Sequence, residues 1–402
     1  MRLSTAGFHR NSINAMLEHQ TKLAKTQEQV TSGKRFKTAA EDPIAATRAA
    51  ALDRTLAENA QFERNSNMIE ARLSYEEQAL ADTTNLLQQV RELSLQGANT
   101  TLGQGERNML ANDVRQKLAA LMDLANTDDA NGEFLFAGTS TASRPFAQTS
   151  SGVQYQGDSI NRQVRISSTQ SLADGHSGAD VFMNIRERNG VFTTNVNAAN
   201  TGSASIDVGR VSDLSAWVED NYTIQFTTAT DWQVVDDTTP TPNVIASGTG
   251  FASGQSINFN GISVKLTGTP AANDTFSISP AAAIDLFAIV EDVARTLELG
   301  TGTPDAAAEF QTRIGGTLAN MDRALDRIVN VRAEVGSRLS AIDMAAGTRE
   351  EEAVDLQSLL SDLRDVDYAE AITKLNQQYA GLQAAQAAYT RIAQMSLFDY
   401  LR

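Results

Sequence analysis

The chain has 402 residues, with 33 Lys+Arg against 49 Asp+Glu and a formal net charge of −16 at pH 7, a balance that argues against phosphate-directed nucleic-acid binding. It has no Cys and only three His, at 9, 19 and 176, which excludes disulfide frameworks, Cys-ligated zinc, iron–sulfur clusters and thiol nucleophiles. No stretch approaches the roughly 18–20 uninterrupted apolar residues of a membrane-spanning helix, and Met1–Gln20 lacks the apolar run of a secretory signal peptide.

In chain order, Ile13, Met16, Gln20, Leu23, Gln27 and Val30 recur at alternating three and four spacing, which predicts a first helix with a narrow seam interrupted by two glutamines. After the Ser32-Gly33-Lys34 break, Asp42 suits an N-cap and Pro43 the first helical position. From Pro43 to Gly97 there is no Gly or Pro, so one helix of about 80 Å is expected. Its seam carries Ile69, Leu73, Leu80, Leu87 and Val90, with Glu76 and Thr83 as polar lapses. A third helix, from about Gly105 to Asn126, should fold back antiparallel on the second.

Between the flanks, period-two alternation takes over. Glu133–Ala137 follows an Asn131-Gly132 turn, and Val153–Tyr155 and Ile160–Ile166 flank Gly157-Asp158. A second cluster of short strands runs through Tyr222, Ile224 and Phe226 to Phe276 and Ile278, punctuated by Asn260-Gly261 and Gly268-Thr269-Pro270. Short, regularly spaced strands predict a sandwich or small barrel.

The second helical flank starts at Thr303-Pro304. From Ile314 to Leu363, fifteen positions alternate four and three without a slip, and only Arg332 and Arg349 among them are polar. That spacing predicts one coiled-coil-like helix over 304–364. The frame then fails at Asp367 and Glu370, and a new one runs through Ile372, Leu375, Tyr379, Leu382, Gln386, Tyr389 and Ala393. The fold class is therefore α+β: a long antiparallel helical rod built from both chain ends, with an inserted β-rich outer domain. The expected divisions are terminal helices over 1–42 and 365–402, a rod over 43–144 and 284–364, and the insert over 145–283.

A search for chemistry finds no catalytic, cofactor or metal site. There is no HExxH, and Ser32-Gly33-Lys34 lacks the first glycine of a phosphate loop because position 28 is Glu. Gly248–Gly254 reads as a hairpin loop. His9 and His19 fall in the first helix and His176 in a polar loop, so all three are expected at the surface. Glu41-Asp42, Glu219-Asp220, Asp236-Asp237 and Glu350–Glu352 read as solvated acidic surface. One asymmetry stands out. Residues 1–48 hold eight Lys/Arg against four Asp/Glu, leaving −20 for the rest, which suggests a basic segment that meets acidic surface on neighbouring subunits.

The rod helices can bury one another within one chain, whereas the terminal seams are short and glutamine-interrupted. Pairing the two termini encloses little apolar area, so they are expected to be marginal in the monomer and to order fully on assembly. The candidate interface residues are Ile13, Met16, Leu17, Leu23 and Val30 at one end. At the other they are Ile372, Leu375, Tyr379, Leu382, Tyr389, Leu397, Phe398 and Leu401.

Val30-Thr-Ser-Gly-Lys-Arg-Phe36 with Ala40-Glu-Asp-Pro43 resembles the flagellin N-terminal signature. Val90-Arg-Glu-Leu-Ser-Leu-Gln96 with Ala98-Asn99 is similar to the helix that follows it, and Leu363–Ile372 (LRDVDYAEAI) to its C-terminal counterpart. Gly132-Glu-Phe-Leu-Phe-Ala-Gly-Thr139, Arg144-Pro-Phe146 and the ending Ser396-Leu-Phe-Asp-Tyr-Leu401 resemble the hook-associated protein 3 branch of the flagellin-like family. This likeness covers residues 1–146 and 284–402. The resemblance implies a structural protein without catalysis or cofactor, exported without a cleaved signal through the flagellar type III apparatus. It would form a tubular tier between the hook-side junction protein and the flagellin filament, its terminal helices innermost and its β domain outermost. The implied partners are lateral copies of itself, those two neighbours, and an export chaperone over Ile372, Leu375, Tyr379, Leu382 and Tyr389. Flagellin is the alternative within the family, against which the FLFAGT and SLFDYL stretches argue; a secreted adhesin or enzyme displayed on this scaffold is the alternative outside it.

Overall fold

Helix starts are set by carboxylates that satisfy free amides. Asp42 Oδ1 accepts the Ala45 N–H at 2.9 Å, with Pro43 at the first helical position. Asp285 accepts from Ala288 at 2.6 Å, and Asp367 from Ala369 and Glu370 at 2.9 and 3.2 Å. In the computed structural model, which describes residues 5–150, 152–238 and 243–394, these caps open three of the described α-helices. The helices are α1 (Thr5–Ser32), α2 (Pro43–Gly97), α3 (Gln104–Ala125), α4 (Leu286–Leu297), α5 (Pro304–Arg364) and α6 (Tyr368–Gln394). Helix α4 is not foreseen by the sequence pattern. Its buried apolar residues are Leu286, Phe287, Ile289, Val290, Val293, Ala294 and Leu297, a face too wide to register as a narrow three-four stripe.

The chain forms two compact units: Met1–Arg64 with Met344–Arg402, and Asn65–Asp343. Helices α2 and α5 contribute to both. In the second unit, Ile69, Leu73, Leu80, Leu87 and Val90 of α2 are buried, as are Ile314, Met321, Ile328, Val335 and Ile342 of α5. Helix α3 runs back along α2, with Leu110 beside Gly97 and Lys117 Nζ donating to Gln89 at 2.6 Å.

The polar lapses in these seams are paired rather than exposed. His176 is buried, not on the surface: its Nδ1 lies 2.7 Å from Glu76 Oε1 and its Nε2 3.1 Å from Glu334 Oε2. The 173–178 segment presses the imidazole between α2 and α5, where a seam carboxylate needs a partner. Thr83 is buried and returns its hydroxyl to the Ala79 carbonyl at 2.8 Å. Arg332 forms an ion pair with Glu77 at 2.6 Å. Arg72, also buried, lies within 4 Å of Asp129, Glu133 and Asp174 and donates to the Phe134 and Leu135 carbonyls at 3.0 and 3.2 Å. Those two carbonyls explain why Glu133–Ala137 is not the expected strand. A guanidinium takes the acceptors that a ladder would use, and only an Asp128–Phe134 bridge remains.

Phe136 and Phe146 instead serve as anchors. Phe136 meets Phe182 edge-on at 5.1 Å, and Phe146 packs on Tyr155, Phe182 and Phe287 at 5.1–5.4 Å. The strands expected around Gly157-Asp158 exist as Gly152–Tyr155 and Gln163–Arg165, but they pair with Phe146–Thr149 and Ser171–Ala173 rather than with each other.

The central β domain is a sandwich. One antiparallel sheet has the order Asn243–Gly248, Trp232–Asp236, Tyr222–Phe226, Thr275–Pro280, Phe192–Val196. The other pairs Ser256–Phe259 with Ile262–Thr267, against which Ser205–Ile206 and Arg210–Val211 also pair. In the first sheet Ile224 sits opposite both Val234 and Phe276, and these three share one core with Ile257, Phe259, Ile262, Val264 and Leu266 of the second. Asn260 and Gly261, at φ 43° and 72°, make the two-residue hairpin turn that the sequence marks. The Gly248–Gly254 stretch is not a hairpin: it joins strands of different sheets, carrying the chain across the sandwich.

Asp158 locks the loop after Phe136. Its carboxylate accepts the Thr139 hydroxyl and amide, the Ile160 amide and the Ser140 hydroxyl. Gly138, at φ +70°, leaves no room for a Cβ against the Asp158 carbonyl. The Thr139 hydroxyl, then the Thr139 and Ile160 amides, lower the Asp158 pKa to about 2. A depressed carboxylate contributes stability that is complete above its unfolded value and is lost as pH falls through the folded one. Urea unfolding of the wild type should therefore weaken more steeply than that of Asp158→Asn between about pH 4 and pH 2. Parallel pH profiles would show that these hydrogen bonds add nothing.

Candidate assembly surface

The first unit has almost no core. Among its described residues, the buried apolar side chains are Ala45, Ala49, Ala371 and Leu382, and all the other buried apolar side chains among the described residues belong to the second unit. The seam of α5 continues through this unit in unbroken register, yet Ala353, Leu356, Leu360 and Leu363 are only half-buried. Burying one Leu contributes about 1.5–3 kcal/mol and an Ala less, whereas ordering a backbone costs about 1–2 kcal/mol per residue. The shortage is therefore decisive for the pairing of α1 with α6.

Those two helices pack on each other, and small residues bring them together, as where Gly381 lies beside His19. Thr26 is buried and bonds to the Lys22 carbonyl at 3.1 Å. Of the residues picked out from the sequence, Met16, Leu23, Val30, Leu375 and Tyr389 are half-buried and Leu382 is buried. Ile13, Leu17, Ile372 and Tyr379 are exposed, at 42–56% of their full surface. Leu397, Phe398 and Leu401 lie outside the described residues. The glutamines that interrupt the seams, Gln20, Gln27 and Gln386, stay in solvent.

The two phase breaks meet. Lys34 and Asp365 form an antiparallel bridge; Arg35 N–H donates to the Arg364 carbonyl at 2.7 Å and Val366 N–H to the Gly33 carbonyl at 2.9 Å. Gly33 holds φ +68°, and a Cβ there would lie 2.9 Å from the Tyr368 hydroxyl. This clasp closes around the residues that end α1 and start α6. Sequence reasoning finds both breaks separately and misses their pairing, because two isolated residue pairs leave no periodicity.

The basic N-terminal stretch uses its own acids first. Lys22 pairs with Glu18, Lys25 with Glu41, Lys37 with Glu28 and Arg35 with Asp42, all at 2.6–3.7 Å. These pairs lie in solvent and are screened by it, so they add little to stability. Among the described residues, the cationic excess of this stretch is carried by Arg10, Lys34 and Arg48, whose charged groups make no ion pair.

The ends and the centre match different known domains. Residues 4–141 match the bacterial flagellin N-terminal helical region and 318–401 its C-terminal helical region. Residues 195–280 match the D2-like domain of flagellar hook-associated protein 1. Over the full length of both chains, the sequence is 26% identical to flagellar hook-associated protein 3 of Salmonella typhimurium. The crystal structure of Xanthomonas campestris FlgL is similar at 31% identity, with a TM-score of 0.72, covering 77% of this chain and 99% of that one. That of flagellar hook associated protein-3 from Legionella pneumophila gives 29%, 0.73, 78% and 98%.

Gly33→Val would place a β-branched residue at positive φ, a strain of about 1–3 kcal/mol, and push on Tyr368. Hydrogen exchange should then show faster amide exchange in α1 and α6 and no change in the β sandwich. Equal protection in both proteins would mean that the clasp does not hold the terminal pair.

Proposed function

Because the chain belongs to the flagellar hook-associated protein 3 family, we propose that it is a structural component of the bacterial flagellum. Its place is the junction tier between the hook-side junction protein and the flagellin filament, and it acts without catalysis or cofactor. The observation that carries this reading is the missing core of the first unit. A segment with two paired terminal seams and, among its described residues, only four buried apolar side chains gains its remaining burial from neighbours, which is how a subunit that must be secreted as a monomer and then polymerise can be built.

The reading over flagellin rests on where the likeness lies. The flagellin models match the ends alone, the middle matches a domain of a hook-associated protein, and hook-associated protein 3 matches from end to end. The partners are lateral copies of the chain, the hook-side junction protein and flagellin. An export chaperone covers the exposed Ile372 and Tyr379 on α6, beside Leu375 and Leu382, before assembly. Export proceeds through the flagellar secretion channel without a cleaved signal, and the protein ends outside the cell. The terminal helices over 1–42 and 365–402 form the assembly element, ordered by these contacts.

Two measurements test this. Limited proteolysis of the purified monomer should remove about the first 40 and last 35 residues, where backbone hydrogen bonds are least protected by packing, and spare the second unit; uniform resistance would contradict ordering on assembly. A chain ending at Arg364 should be soluble and retain the sandwich core, yet fail to restore motility to cells lacking the gene. Restored motility would refute the assembly role of α6.

A further inference from the structure

The two most exposed large apolar side chains described in the chain are Met344 at 69% and Ile44 at 68%, and both lie in the first unit on faces that none of the described residues covers. Helical spacing places Ile44, Arg48, Ala51 and Thr55 on one stripe of α2, with Arg54 at its edge. Met344, Glu351, Asp355 and Leu359 share a stripe of α5 opposite its half-buried seam, with Val354, 61% exposed, at its edge. The charges are complementary and unused: Arg48 and Arg54 on one stripe, and Glu351 and Asp355 on the other, have no side-chain partner among the described residues. Their neighbours behave differently, since Glu352 accepts from Asn59 and Asp53 pairs with Arg364. Each stripe therefore combines a protruding apolar anchor with charge of mainly one sign, although the α2 stripe runs on to the exposed Glu58, and this is the anatomy of an interface.

We infer that the occupant of the α2 stripe is the α5 stripe of a second copy: Ile44, Arg48 and Arg54 of one subunit pack against Met344, Glu351 and Asp355 of the next. This pairing rests on the junction reading above and specifies the lateral contact within it. Because the two faces differ, the contact is heterologous, and repetition closes a ring or continues a helix instead of stopping at a dimer. It also gives the cationic N-terminal stretch an anionic counterpart that intrachain pairing leaves free.

The absence of Cys makes the test clean. Ile44→Cys and Met344→Cys would be introduced singly and together into the full chain, expressed in cells lacking the wild-type gene, and isolated flagella oxidised with a mild copper catalyst. The double variant should give a ladder of cross-linked multimers, since disulfides form only when the two Cα atoms come within roughly 7 Å; each single variant should remain monomeric. Presence in flagella without that ladder, or cross-linking by a single variant, would overturn the stripe pairing and leave the junction reading standing. Absence of the protein from isolated flagella, with wild-type thermal unfolding, would overturn both. As a second readout, Arg48→Glu with Arg54→Glu, or Glu351→Arg with Asp355→Arg, should each lower the fraction of motile cells at least about tenfold, since juxtaposed like charges oppose association. All four changes together should restore motility, and a quadruple variant no better than either pair would count against the contact.

Discussion

The constraint on which the rest depends is the unequal supply of apolar burial. The second unit closes its helices over Leu, Ile, Val and Phe and encloses an aromatic cluster around Phe146 and Phe182 together with a sandwich core around Ile224 and Phe276. The first unit contains helices of the same kind and buries three alanines and one leucine among its described apolar side chains. Conformational entropy is indifferent to which unit a residue belongs to. A single copy therefore has a well-filled scaffold and an underfilled appendage. On the reading proposed above, further copies complete the appendage, and oligomerisation is a folding step with stability that rises with local subunit concentration.

Polar seam residues are treated differently in the two long helices and in the terminal pair. Where α2 and α5 run through the second unit, each interruption is matched inside the chain: Glu76 with His176, Glu77 with Arg332, and Arg72 with three carboxylates and two carbonyls. Buried polar groups left alone would cost more than the contacts around them contribute, and matched ones fix which segments pack where. In the first unit the α5 interruption, Arg349, is buried as well, whereas the interruptions of α1 and α6 are glutamines left in water. They cost nothing in the monomer and remain free to hydrogen-bond when another surface arrives.

The helical flanks were legible because their physics is periodic. The fifteen-position seam of α5 and the Asp42-Pro43 and Asp367 caps are local signals, and the alternation through Tyr222, Ile224 and Phe226 marks a strand by itself. What escaped depends on partners distant in sequence. His176 looks like a loop histidine until Glu76 and Glu334, 100 and 158 residues away, are placed beside it; its only trace was the acidic lapse in the α2 seam. Glu133–Ala137 has strand composition but surrenders two carbonyls to Arg72. The Gly33–Asp365 clasp joins two breaks, each visible alone. For the interface, sequence periodicity selected the inward seam residues such as Leu382 and Leu23 alongside outward ones such as Tyr379, because a seam defines which residues share a face and not whether a partner already covers it.

Helix nucleation explains why the breaks stand where they do. Starting a helix is costly and extending one is cheap, so the portions of α2 and α5 in the first unit can grow from turns already held by the core of the second, even with weak side-chain burial of their own. Helices α1 and α6 have no such continuity. Gly33 at positive φ and the extended residues around Asp365 interrupt propagation, and each terminal helix must nucleate afresh with only its partner's narrow seam to reward it. Placing the breaks at those two points therefore divides the first unit by the source of its order: continuous helix on one side, and helix that has to be stabilised by pairing on the other. The clasp sits at that division and ties the two independent nucleation events together, so that ordering one terminus favours the other and contacts made with either propagate to both.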